Sequence, residues 1–112
     1  MGCIFCKISA GEIPTTFVYQ DEEIVVFPDI HPSAKLHLLI VPKKHIESVA
    51  ELKKEEENLV GKMIGVAREL GNAQSPAGYK LIFNVNELGG QIVRHLHLHL
   101  LGGEDLRGKH KV

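Results

Sequence analysis

The chain has almost no excess of either charge, with 13 basic residues against 14 acidic ones and a net charge of −1 over 112 residues. Without a basic footprint, general nucleic-acid binding is not expected. Long apolar runs are missing too. Residues 38–41 with their flanks form the longest, far too short to span a bilayer. The N-terminus carries no apolar stretch followed by a small-residue cleavage site, so no secretory signal is expected. Cysteine occurs only twice, at Cys3 and Cys6. Two thiols do not make a secreted disulfide framework. These absences predict a soluble, cytoplasmic protein with neither a membrane nor nucleic acid as partner. Repeats, linkers and low-complexity segments are also lacking. The length suits one compact domain, residues 1–112. A domain of this size builds a real core, yet gains from a metal or a partner subunit.

Periodicity predicts an α+β fold, with a mostly antiparallel sheet and a helix on one face. Residues 4–10 read as a short helix stopped by Gly11. Residues 17–20 and 24–27 read as a hairpin around the polar turn Asp21-Glu22-Glu23. Residues 36–41 are an apolar run closed by Pro42, which predicts a buried strand. The clearest helix covers 54–71, where Leu59, Met63, Val66, Ala67 and Leu70 share one face. The charge run 53–57 reads as solvated. Gly61 and Gly65 cost about 1 kcal/mol each relative to Ala in a helix. They are either tolerated or a site of close packing on a neighbour. A loop over 72–78, a strand over 79–85, a loop over 86–91 and a last strand over 95–101 complete the reading. Gly102-Gly103 and a polar tail follow.

That last strand reads His95-Leu96-His97-Leu98-His99-Leu100-Leu101. On an extended backbone its imidazoles share one face and its leucines the other, with imidazoles roughly 6–7 Å apart along the strand. Three buried imidazoles each need a partner. Near neutral pH imidazole serves as nucleophile, general acid or base, or metal ligand. The middle ring, His97, has supporting polar groups on both sides and is the best nucleophile candidate.

Three other constellations carry chemistry. Cys3-x-x-Cys6 can chelate one zinc if two further ligands join, with His45 and one histidine of the strand as candidates. A redox dithiol or two unrelated buried thiols are the alternatives. Gly89-Gly90-Gln91, just before the histidines, is either a plain turn or a phosphate cradle, with Asn84 and Asn86 nearby as neutral donors. Asp29, after Phe27-Pro28, either turns the chain or accepts hydrogen bonds from a sugar diol.

Together these pieces resemble the histidine-triad family, specifically its branch of nucleoside phosphoramidate hydrolases. The resemblance rests on the alternating histidine motif, Ile4-Phe5-Cys6-Lys7-Ile8, Glu12-Ile13-Pro14 and Phe27 to Ile30. It continues through His37 to His45, Gly89-Gly90-Gln91 and Leu101-Gly102-Gly103, so it spans nearly the whole chain. It implies His97 as nucleophile, His37 as support for the nucleophile's ring, and His99, Asn84, Gly90 and Gln91 at phosphate. It implies Asp29 at the ribose hydroxyls, and Phe5, Ile8 and Ile30 around a purine. It implies structural zinc on Cys3, Cys6, His45 and His95, and a homodimer whose sheet continues across the interface. The implied reaction is hydrolysis of purine nucleoside phosphoramidates through a nucleotidyl-histidine. Dinucleoside polyphosphate hydrolysis, a non-catalytic purine-nucleotide binder and a metallohydrolase using all three histidines are the competing readings. The chain departs from the pattern at Ile92, often a serine that reaches the leaving group. It departs also in its tail, which lacks a tryptophan seen in some relatives. Arg94 replaces a frequent aromatic and reads as a surface arginine.

Overall fold

The computed structural model describes residues 2–109 and 112. Met1, and His110 and Lys111 of the polar tail, lie outside the described residues. Five antiparallel strands form one sheet in the order β1-β2-β3-β5-β4. They are β1 Tyr19–Gln20, β2 Ile24–Pro28, β3 Leu36–Pro42, β4 Lys80–Ile82 and β5 Leu98–Gly102. Helix α1 covers Ile4–Ser9 and α2 covers Glu57–Gln74. Asp21 makes the first hairpin, its Oδ1 accepting from the backbone N–H groups of Glu23 and Ile24 at 2.8 Å each.

The side-chain period of two divides the sheet into two apolar layers. Ile24, Val26, Leu38, Ile40, Leu98 and Leu100 face α2, where they meet Met63 and Ala67. Val25, Phe27, Leu39 and Val41 point the other way, onto Phe5 and Ile8 of α1. Strands β2 and β3 are thus covered on both sides, which is why they read as unbroken apolar runs. His37 and His99 lie on the α1 side. Helix α1 therefore decides what stands beside the histidines. Among the described residues, no helix is long and apolar enough to cross a membrane.

The expected boundaries shift at several elements, β1 by its first two residues among them. The long helix starts at Glu57, after a 3-10 turn over Lys54–Glu56. Glu56 is buried rather than solvated like its neighbours. Its carboxylate takes Lys44 Nζ at 2.8 Å and the Lys53 N–H at 2.8 Å. Helix α2 also runs through Gly71, which is buried where a Cβ would stand 2.7 Å from the Tyr79 ring. Gly71 permits that approach instead of ending the helix. Gly61 and Gly65 face open space, so nothing among the described residues packs closely on them. Strand β4 spans three residues, its pairing ending at Ile82↔His99.

The histidine strand is shorter than its sequence pattern. Its ladder begins at Leu98, paired with Ile40. Continuing that register, Leu96 would face Pro42, which has no N–H to give. The Leu96 N–H turns instead to the Ile46 carbonyl at 2.6 Å. The alternation of faces survives: Leu96 remains in the layer under α2.

Candidate active site and metal centre

Helix α1 starts directly after Cys3, whose Sγ accepts the Cys6 N–H at 3.3 Å. One turn thus presents both sulfurs together. The chain after β3 brings His45 and the segment before β5 brings His95. Cys3 Sγ is 3.2 Å from His95 Nδ1, Cys6 Sγ is 3.3 Å from His45 Nδ1, and the two Nδ1 atoms are 3.2 Å apart. All four ligand atoms lie within 4.8 Å of one another. Ligands around one tetrahedral ion stand about 3.3–3.8 Å apart, given metal–ligand bonds near 2.0–2.3 Å. His95 Nε2 is 2.7 Å from the Pro42 carbonyl. A carbonyl only accepts, so the ring carries its proton on Nε2 and aims the Nδ1 lone pair at the sulfurs. Burial lowers the His95 pKa to about 4, which keeps it neutral. Burial, together with Cys3, raises the Cys6 thiol. A cation would favour the thiolate that the protein alone disfavours. The donor set therefore fits a metal ion, with four protein ligands and no open position.

A second triplet, Asp29, His37 and His99, also converges within 4.8 Å. Its tautomers differ. The Ser33 N–H donates to His37 Nδ1 at 2.9 Å, so neutral His37 carries its proton on Nε2. That proton goes to His99 Nδ1 at 2.9 Å, with Asp29 Oδ2 3.5 Å from the same Nε2. With its Nε2 lone pair occupied, His37 is a hydrogen-bond donor and not a ligand. Neutral His99 then holds its own proton on Nε2. Burial, with His97 and His37 beside it, lowers the His99 pKa to about 4, and burial lowers that of His37.

His97 has the opposite tautomer. Its Nδ1 is 2.7 Å from the backbone carbonyl of His95 and must donate, leaving a lone pair on Nε2. Burial lowers its pKa as well, so the ring is neutral near pH 7. Its partner is thus a main-chain carbonyl, where flanking imidazoles were expected. His37 supports His99 rather than His97. The His97 and His99 ring centroids are 4.9 Å apart, and the edge-on Phe5 ring is 5.1 Å from His97 at 90°.

These rings border a pocket of about 730 Å³. Phe5, Ile8, Asp29, Ile30, Asn84, Gly90, His37, His97 and His99 all line it. Gln91 does not. It is buried, its Nε2 donating to the Glu47 carbonyl at 2.6 Å and the Val93 carbonyl at 2.9 Å, its Oε1 accepting the Asn86 N–H at 2.9 Å. With both of its amide N–H groups engaged by main-chain carbonyls, Gln91 anchors the loop and has none free to donate to the pocket. Nor is the loop a cradle of unpaired N–H groups. Those of Gly89, Gly90 and Gln91 donate to the Asn86 and Glu87 carbonyls. Gly90 is there for its left-handed backbone, φ 91°, with Asn84 alongside. The Asn84 amide and His99 Nε2–H are donors that border the pocket. Arg94 ties Asn86 Oδ1 at 2.8 Å to Glu47 Oε1 at 3.1 Å, a surface role. Sequence reasoning gave no role to Ser33, whose contribution is a main-chain N–H and leaves no mark on residue type. A second hollow of about 790 Å³, bordered by Ser75, Tyr79 and Arg107, includes none of the described histidines.

Residues 2–111 match the family model described as scavenger mRNA decapping enzyme C-term binding. Protein HitA of Neisseria gonorrhoeae is 48% identical over 101 residues, 89% of this chain and 94% of that one. The purine nucleoside phosphoramidase of Escherichia coli (strain K12) is 46% identical over 105 residues, 92% of this chain and 88% of that one. The crystal structure of a HIT family hydrolase from Legionella pneumophila Philadelphia 1 superposes with a TM-score of 0.90 at 47% identity, covering 94% of this chain and 96% of that one.

Proposed function

The chain belongs to the histidine-triad family, and from that premise we propose that it hydrolyses purine nucleoside phosphoramidates, such as adenosine 5′-monophosphoramidate, through a nucleotidyl-histidine. The observation that carries this reading is the His97 tautomer. Its Nδ1–H is committed to the His95 carbonyl at 2.7 Å, so Nε2 is unprotonated beside the pocket. Nε2 attacks the α-phosphorus in line. The Nε2–P bond forms as the P–N bond breaks, and the carbonyl at Nδ1 stabilises the cationic ring. Ile92 offers no hydroxyl, and neutral His99 keeps its only N–H for the phosphoryl oxygens, so the departing amine takes its proton from solvent. Water then attacks the phosphorus, the Nε2–P bond breaks to restore the His97 lone pair, and the proton of the attacking water passes to solvent as the nucleoside monophosphate is released. Asn84 and His99 hold the phosphoryl oxygens. Asp29 holds the ribose hydroxyls. Phe5, Ile8 and Ile30 border the base.

Cys3, Cys6, His45 and His95 hold zinc, which suits two thiolates and two imidazoles. Bound there, zinc cross-links the N-terminal segment to the histidine segment and supplies no reacting water. Two reduced thiols suit the cytoplasm. The sheet ends at β4, where Leu81 is 37% exposed. A second copy pairing there, as a homodimer of this one domain, would cover it. Neither nucleic acid nor a membrane is a partner.

In His97→Ala, hydrolysis is lost and mass spectrometry of protein mixed with the phosphoramidate finds no nucleotidyl adduct. Turnover at the unmutated rate would refute the reading. A faster rate on a diadenosine polyphosphate would move the substrate class to polyphosphates. An unmutated protein that binds nucleotide yet never forms the adduct is a binding module.

A further inference from the structure

We propose that the Cys3–Cys6–His45–His95 cluster sets the angle of the His97 ring, and so positions the nucleophile as well as fastening the N-terminus. The proposal rests on the reading of His97 as nucleophile. It follows from one peptide group and one ring. The peptide between His95 and Leu96 presents its C=O to His97 Nδ1 at 2.7 Å and its N–H to the Ile46 carbonyl at 2.6 Å. A peptide group is planar, so tilting one end tilts the other. His95 precedes this group and belongs to the cluster. Ile46, its acceptor, directly follows His45, which also belongs to the cluster. Two of the four ligands therefore fix the two supports of the plane that aims the nucleophile. His95 is held further by its Nε2–H on the Pro42 carbonyl at 2.7 Å.

Phe5 provides the second route. It sits between Cys3 and Cys6 on α1, and its position is set where these sulfurs are held. Its ring meets His97 edge-on at 5.1 Å and 90°, and His95 at 5.9 Å. The carbonyl fixes the Nδ1 end of His97, and Phe5 restricts swing of the ring about that hydrogen bond. A misplacement of about 1 Å at a reacting atom is enough to slow a step about a hundredfold.

The test is His45→Ala in zinc-loaded protein, since His45 belongs to the cluster and does not line the pocket. Well below its unfolding temperature, kcat on the phosphoramidate should fall tenfold or more. KM and the Kd for the nucleoside monophosphate should move less than twofold. In histidine-¹⁵N-labelled protein, the His97 Nδ1–H resonance should lose its hydrogen-bonded position, as it should in metal-free unmutated protein. His45→Cys, which restores a ligand, should recover both kcat and the resonance. An unchanged kcat and resonance in folded His45→Ala would overturn the proposal. So would parallel loss of kcat and nucleotide binding, or no recovery in His45→Cys. Absence of turnover in the unmutated protein would remove the proposed activity instead, and the resonances of metal-loaded and metal-free protein would still decide the coupling.

Discussion

His37, His95, His97 and His99 are one residue type used in different ways, and the main chain makes the choice at three of them. A carbonyl opposite His95 Nε2 frees Nδ1 for a metal; a carbonyl opposite His97 Nδ1 frees Nε2 for attack. An N–H opposite His37 Nδ1 makes its Nε2 a donor to His99. The side chains of this group were legible in the sequence because seven histidines in 112 residues leave few alternatives. Their tautomers were not, because carbonyl and N–H groups are common to every residue. Gln91 shows the same limit: the motif placed it in the right loop, and only the backbone around it reveals an anchor. The neutrality of these rings has a consequence for stability. His99 ionises at about 4 when folded against about 6.5 when unfolded. Between these values the unfolded chain binds more protons, so stability rises with pH there. Its contribution is complete above about pH 6.5 and is lost as pH falls through about 4. Urea unfolding at several pH values from 7 to 4.5 should show stability falling with acid. The fall should be shallower in His99→Phe, where that proton cannot be taken up.

At the scale of elements, β2, β3, α1 and the body of α2 were legible because their signals are local: apolar runs in β2 and β3, a glycine stop after α1 and the helical period in α2. The misplaced boundaries were set by partners distant in sequence. The histidine strand enters the ladder at Leu98 because Pro42, 54 positions earlier than Leu96, cannot donate. Gly71 stands inside helix α2 as a point of close approach to the Tyr79 ring, not as a stop. Local composition has no access to either. The glycines of α2 make this distinction measurable. At Gly65 a Cβ meets nothing within 4 Å, whereas at Gly71 it would meet the Tyr79 ring at 2.7 Å. Gly65→Ala should therefore raise unfolding free energy by about 0.5–1 kcal/mol, the propensity gain alone. Gly71→Ala should lower it, because displacing a ring whose hydroxyl is bonded to Asn72 outweighs the same gain. Denaturant unfolding of the two variants at neutral pH gives the comparison.

Across the whole molecule, both walls of the pocket depend on contacts between the two ends of the chain. Cys3 and His95 are 92 positions apart and meet at 3.2 Å. Zinc added to metal-free protein should raise the unfolding temperature by several degrees, as a ligand bound only by the folded state does. It should also protect the segment before β1 from protease, and a chelator should reverse both effects. The span between Cys3 and His95 has a kinetic meaning as well. Contacts between distant positions close large loops, and such contacts slow folding. During synthesis, Cys3 must wait until the 92 positions up to His95 have emerged before the two can meet. The sheet can pair β1, β2 and β3 long before that. Convergence of the four cluster residues and completion of the pocket therefore both come late, and a growing chain lacks the histidine face of the pocket until β5 is in place.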